Sequence, residues 1–296
     1  IKMKKYMITI MMIMIIFTLS ACGSKDESEK NPLDDIMADN PTLMYKDDNE
    51  EPLKVGMTLQ YPPFETIDIN GDAIGVSVEM AYELGMFLER EVEIVDLPWG
   101  SLIPAVNTGE INLILGSMSI TAEREESVDF SNPYFYFRMI TLLNKDFAEE
   151  NNILTLDDLW STTGAVYVAP QAFFTVGLIE ANAPGEQIKE VSNGSAAVLE
   201  VSTGASDAFI MSAYFVGESQ RKNSDTTVTL YDPVTISPIG MAVAEGNTEL
   251  LAQLNDFISR LDSEGIYDKI AVKYDAVIGY ALEGKGIEFY TNDDEE

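Results

Sequence analysis

The sequence predicts an α/β protein of two lobes, each built on its own doubly wound sheet. Three observations carry this reading. From Leu53 onward, short apolar runs alternate with segments of helical period, the pattern of strand–helix–strand units. The alternation halts at "FSNPYFYFRMITLLNK" (130–145) and then starts again. A length of 296 residues, with 46% hydrophobic, allows one large core or two medium ones.

The elements follow in order. "LKVGMTL" (53–59) is an alternating apolar strand. "YPPF" (61–64) must be extended or turning, because proline biases the residue before it away from the helical region. "DINGDAIG" (68–75) contains Asn-Gly, a strong hairpin signal. Residues 77–90 space Val78, Ala81, Leu84, Phe87 and Leu88 as a buried helical stripe. "VEIVDL" (92–97) reads as a strand, "GSLIPAVNTG" (100–109) as a short helix, and "INLILG" (111–116) as a buried strand. In the second half, "TLDDLW" (155–160) is a short helix, "GAVYVA" (164–169) a strand and 172–182 a helix. "SAAVLEVSTG" (195–204) is a helix and "DAFIM" (207–211) a strand. Leu250, Leu254, Phe257, Ile258 and Leu261 mark a final amphipathic helix with a second one after it. The alternation implies largely parallel sheets.

Composition narrows the function. The net charge of −32 argues against nucleic acid, since phosphate binding needs a basic face. It also disfavours docking on anionic lipid headgroups. With no histidine and one cysteine, histidine catalysis, histidine metal sites and intrachain disulfides are excluded. No cofactor is implied. Lys2, Lys4 and Lys5 precede a thirteen-residue apolar run, Met7–Leu19, too short for a bilayer span and suited to a secretory signal peptide. Since the chain opens on Ile1, Met3 is the expected initiator. Residues 23–51, with ten acidic residues and two prolines, read as a solvated tether. The "TNDDEE" tail is expected to be disordered.

"GSMSITAER" (116–124) holds one of only five arginines. On one reading Arg124 balances Glu123, Glu125 and Glu126 on a wet helix face. On the other it serves an anion site. A strand ends at Leu115, and Thr121 is a good N-cap for a following helix. Free N–H groups at such a terminus favour an anion. Ser117 and Ser119 add hydroxyl and amide donors. A guanidinium three residues past Thr121 can reach back over the turn and clamp a carboxylate with two parallel bonds.

Several stretches resemble the family 3 extracellular solute-binding proteins, the receptor lipoproteins of polar amino-acid ABC importers. They are "YPPF" with the downstream "NG", "GVSVEMAYELG", "PWGSLIPAVNTGEINLILGSMSITAEREESVDFSNPYF", "LDDLW", "GASDAFIM" and "GIYDKIAVKY". Each is weak alone, but their order and spacing from Leu53 to about Asp275 are specific. "LSAC" (19–22) resembles a lipobox, with Cys22 as the lipidation site after a signal peptide over 1–22. The resemblance implies a type II periplasmic-binding-protein-like fold. Lobe 1 would be 52–137 plus 241–275 and lobe 2 138–240, joined by two hinge strands, with a C-terminal extension over 276–296.

The resemblance also assigns roles. Arg124 would grip a solute carboxylate, with Ser119 and Ser117 assisting. Tyr61, Trp99 and Phe173 would form an aromatic wall. Three departures stand out. Ser212 occupies the place, five residues after Asp207, where amino-acid binders carry an aspartate for the α-ammonium. Ala172 replaces a hydroxyl residue. Thr58 and Ser77 replace the acids of basic-amino-acid binders. The resulting pocket is poor in acids, which disfavours lysine, arginine or histidine as solute and fits a carboxylate with an apolar or aromatic body. Glu79 reads as structural. The expected protein is a monomeric, lipid-anchored receptor on the outer face of a bacterial membrane. It would deliver a small carboxylate to an ABC permease and would not be an enzyme. Two alternatives stay open: a ligand sensor without transport, and a cyclohexadienyl-dehydratase-like enzyme, against which the cleft offers no evident general acid.

Overall fold

The structure, a computed structural model, describes residues 51–261, 263–270 and 273–274. Cys22, the tether up to residue 50 and the 276–296 extension lie outside the described residues.

The first sheet opens with β1 (Leu53–Met57), whose buried Leu53, Val55 and Met57 fill one side of the core. The chain turns through Pro62–Phe64 into a small hairpin, β2 (Thr66–Ile67) and β3 (Ala73–Ile74), with Gly71 of the Asn-Gly pair at φ 90°. Helix α1 (Val76–Phe87) buries Val78, Ala81 and Leu84 on the expected stripe. Its entry needs Gly75. At φ 133° a Cβ there would stand 2.2 Å from the Phe64 carbonyl oxygen, so glycine lets the helix start against the proline turn. Strand β4 (Val92–Asp96) pairs parallel with β1. A short turn at Trp99–Ser101 leads into α2 (Leu102–Thr108), which ends on Gly109 in the left-handed region. Strand β5 is only Leu113–Ile114, shorter than the apolar run around it, and also runs parallel to β1. Then come α3 (Ala122–Glu125), capped by Thr121, and β6 (Val128–Phe130).

The second sheet starts with β7 (Phe135–Asn144), followed by α4 (Lys145–Asn151) and α5 (Leu156–Ser161). Next are β8 (Val166–Pro170), α6 (Thr175–Asn182), β9 (Gln187–Val191) and α7 (Gly194–Ser202). Strand β10 (Ala208–Ser212), α8 (Ala213–Lys222) and the long β11 (Thr227–Ile239) complete it. The chain then returns to the first sheet as β12 (Ala242–Ala244) and closes with α9 (Thr248–Arg260), burying Leu250, Leu254 and Phe257. Residues 266–270 are helical again.

The sheets have strand orders β4-β1-β5-β12-β6 and β11-β7-β10-β8-β9. Both are mixed. Pairs β1–β4, β1–β5, β8–β9 and β8–β10 are parallel as expected, but β12 and β7 run antiparallel to their neighbours. The reason is topological. The chain crosses between sheets on β7 and β11, which lie side by side and antiparallel over nearly their whole length. Local pattern marks no strand at β6, β7, β9, β11 or β12; the two hinge strands are implied only by the family resemblance. No helix among the described residues is long and apolar enough to cross a membrane.

Candidate functional site

The C-terminal ends of β1, β5, β8 and β10 turn toward one another, where open α/β sheets place their ligands. A cavity of about 310 Å³ lies there, lined by residues of both sheets. Tyr61, Trp99, Ser117, Ser119, Phe173 and Ser212 all line it, so the structure brings six of the seven sequence-predicted cleft residues together.

The seventh, Arg124, is not among the lining residues; it contacts Ser119 and Trp99, which are. Its position is fixed locally: the Thr121 hydroxyl caps α3 by accepting from the Arg124 N–H at 3.3 Å, and the side chain folds back over the turn. One guanidinium nitrogen donates to the Ser119 carbonyl at 2.8 Å, another to the Ala172 carbonyl at 3.3 Å. Its Cζ stands 5.3 Å from the Trp99 ring centroid, a stacking geometry that suits guanidinium. Arg124 is only 8% exposed, and no carboxylate pairs with it among the described residues. A wet ion-pair role beside Glu123, Glu125 and Glu126 therefore does not fit. Burial presses its pKa down to about 10, which leaves it charged at neutral pH.

The turn before Arg124 is held from the other side. The Gly240 N–H donates to the Met118 carbonyl at 3.1 Å, and the Ile120 N–H donates to Pro238 at 2.8 Å. The Ser237 hydroxyl donates to Ser119 Oγ at 2.7 Å. Ser117, expected to face a carboxylate, instead donates its hydroxyl to Glu65 at 3.1 Å.

The aromatic wall is layered. Tyr61 stacks on Phe64 at 5.0 Å between centroids and approaches Phe215 at 5.6 Å. Trp99 meets Phe173 at 5.7 Å, and its indole N–H donates to the Ala172 carbonyl at 3.3 Å. Ala172 adopts φ 59°, a left-handed conformation that turns its carbonyl toward both Trp99 and Arg124. The Tyr61 and Ser212 hydroxyls share a short hydrogen bond across the cleft. Thr58 Oγ1 donates to the Leu97 carbonyl at 2.8 Å. Asp207 Oδ2 accepts from the Val166 N–H at 2.7 Å, and Glu79 pairs with Lys273, so both are structural.

Sequence reasoning missed Glu65, Phe137, Met139, Met211 and Phe215, which also line the cavity. Glu65 matters most. It is 1% exposed and accepts from Ser77 Oγ at 2.6 Å and from Ser117. Burial pushes its pKa up to about 8, against the pull of those two hydroxyls. The cleft thus holds a carboxyl that is mostly protonated at neutral pH. The expectation that it offers no general acid does not hold. The signal was weak: Glu65 follows "YPPF" directly, where a turn residue reads as exposed. Among the described residues no cluster of acids, cysteines or histidines could hold a metal ion.

Two sheets joined by paired crossing strands, with a polar-and-aromatic cavity lined by both, form the architecture of a solute-binding protein. Residues 53–276 match the model of bacterial extracellular solute-binding proteins, family 3, and the chain belongs to that family. It is 29% identical over 266 residues to a probable histidine-binding protein of Neisseria gonorrhoeae, covering 88% of this chain and 92% of the relative. It is 25% identical to an ABC transporter glutamine-binding protein of Bacillus subtilis, covering 92% of this chain and 97% of that one. Among solved structures it resembles an ancestral amino acid-binding protein described as a precursor of cyclohexadienyl dehydratase. That match has 30% identity and a TM-score of 0.65, and covers 75% of this chain and 94% of the other. All three are described as amino-acid-binding proteins, and the Bacillus subtilis relative as one of an ABC transporter.

Proposed function

We propose that this protein is a lipid-anchored receptor of an ABC importer that captures an amino acid or amino-acid-like carboxylate. Cys22 would carry the lipid, and residues 23–51 would tether the domain to the outer face of the membrane. Lobe 1 (52–137 with 241–275) and lobe 2 (138–240) would close on the solute by hinging at β7 and β11. Arg124 would clamp the carboxylate, helped by Ser119, while Tyr61, Trp99 and Phe173 wall the solute body. Ser212 would contact the ammonium side.

One observation carries the reading. Arg124 is a buried cation next to the cavity residues Ser119 and Trp99, held by two backbone carbonyls and an indole face and making no ion pair among the described residues. Burying a cation without a counter-ion is costly, and a site that receives an anion offsets that cost. A thermal-shift screen tests it: the full chain in mild detergent against the L-amino acids and their deaminated analogues. A binder of the native state raises the melting temperature by mass action. At least one α-amino or α-deamino carboxylate should do so, and a flat response across the panel refutes the reading.

The buried Glu65 favours a second reading, a dehydratase-like enzyme with Glu65 as general acid. Turnover of a cyclohexadienyl acid by the wild type, lost in Glu65→Gln, would establish it.

A further inference from the structure

Around the cavity, hydrogen-bond donors are left open while acceptors are taken. Arg124 gives two of its five N–H donors to the Ser119 and Ala172 carbonyls, which leaves three. Ser119 Oγ accepts from Ser237, so its own proton is free to donate. The Ala172 carbonyl, with two lone pairs, already takes the Trp99 indole N–H and an Arg124 nitrogen. Gln60 Oε1 accepts from the Asn193 amide at 3.3 Å, and Asn193 Oδ1 accepts from the Ala196 N–H at 2.9 Å. Tyr61, which follows β1, and Ser212, which ends β10, bind each other's hydroxyls, a direct side-chain bond from the first sheet to the second. Whichever of the two donates, the proton left over makes the pair a donor as well.

One carboxyl stands in the wall. Glu65 takes the Ser77 and Ser117 hydroxyls on the same oxygen, Oε2, and no cation pairs with it among the described residues. Burial keeps it mostly neutral at neutral pH. Much of the remaining wall is apolar, with Phe137, Met139, Met211 and Phe215. An α-ammonium has three donors and no acceptor. Here it would face other donors, and burying a cation with neither acceptor nor counter-charge is costly. Net charge points the same way. Arg124 makes no ion pair among the described residues. A carboxylate without an amine brings the one negative charge that balances it, whereas a zwitterion brings a net charge of zero.

We propose that the cavity selects an amine-free carboxylate with an apolar or aromatic body, and that the Tyr61–Ser212 pair is the element that excludes an α-ammonium. This rests on the receptor reading above and narrows it to the amino-acid-like acids. On that reading Ser212 stands on the ammonium side; its hydroxyl is taken by Tyr61, so that side holds no open acceptor for an amine.

The test is titration calorimetry of the full chain in mild detergent near neutral pH, with matched probes. They are L-leucine with isocaproate and L-phenylalanine with hydrocinnamate, alongside L-glutamine and L-arginine as polar amino acids. Each amine-free acid should bind at least about tenfold more tightly than its amino-acid partner, and more tightly than the polar pair. Ser212→Asp supplies a carboxylate for the ammonium and should shrink that preference by about tenfold. Tyr61→Phe keeps a ring against Phe64 and Phe215 but releases the Ser212 hydroxyl as an acceptor, and should shrink it by a few-fold. The wild-type comparison reads the selectivity without any variant. An L-amino acid that binds as tightly as its amine-free partner, or more tightly, overturns the proposal and leaves the receptor reading standing. A preference that both folded variants leave unchanged also overturns it, since the pair would then exclude nothing. No binding by these probes, nor by the other L-amino acids and their deaminated analogues, overturns both.

Discussion

Replacing Arg124 tests the centre of the site. Its guanidinium donates to two neutral carbonyls, those of Ser119 and Ala172. A carboxylate taking the fork would form two charge-assisted bonds, at roughly 1.5–3 kcal/mol each. The carbonyls take only two of the five guanidinium N–H donors, so the carboxylate can be held by the others without giving those bonds up. At the low end the two new bonds are worth about 3 kcal/mol, or on the order of a hundredfold in Kd. Arg124→Met, which keeps an apolar stem against Trp99, should lose that hundredfold for whichever amino acid shifts the melting temperature most. Arg124→Lys keeps the charge but loses the fork and the flat stacking face, and should lose about tenfold. The melting temperature of Arg124→Met without added solute should change by only a few degrees, because the substitution removes a buried cation that makes no ion pair among the described residues. Calorimetric Kd values with thermal melts on the same samples decide it. A folded Arg124→Met variant that binds as tightly as the wild type refutes the anion clamp.

Other consequences are equally direct. The Glu65 pKa is raised on folding from 4.5 to about 8, so its stabilising share is complete below pH 4.5 and is lost as pH rises through 8. Ligand-free thermal melts should therefore fall between about pH 5 and pH 9 in the wild type, and Glu65→Gln should flatten that decline. Ala172→Gly relieves a left-handed alanine and should stabilise by about 0.5–1 kcal/mol in urea denaturation; a loss of stability would mean the methyl packs usefully. Ser212→Asp places a carboxylate across from Tyr61 and should improve affinity for L-amino acids over their deaminated analogues by about tenfold, read by competition titration. Cys22→Ala should move the protein from the membrane pellet to the soluble fraction of cells; retention in the pellet would refute lipid anchoring.

What the sequence made legible, and what it hid, divides along physical lines. The α1 stripe, the Asn-Gly hairpin and the Thr121 cap depend on residues close in the chain, and period and capping chemistry expose them. Arg124 stands out locally as one of five arginines in an acidic chain, beside a turn, whereas Tyr61, Trp99 and Phe173 are singled out only by the family resemblance. The crossing strands were harder. Strand β11 alternates weakly, carries Pro233 and Pro238, and shifts register between Leu230 and Thr235, so its pairing with β7 depends on long-range contacts. Glu65 was hidden for a deeper reason. One glutamate among fifty acidic residues carries no local mark of burial. What buries it is the convergence of α1, the Gly116–Ser117 turn and Tyr134, separated in sequence by up to about seventy residues. Gly116 shows how tight that convergence is, since a Cβ there would lie 2.9 Å from Met57 Cβ. Ser77 and Ser117, one read as a lost acid and the other as a donor to the solute, are the two donors that hold the Glu65 carboxyl at the cavity wall. The departures at 77 and 212 and the acid at 65 are therefore coupled. The site lacks acids at three expected positions, 58, 77 and 212, and the carboxyl that lines the cavity is instead Glu65, held in place by one of the replacing serines.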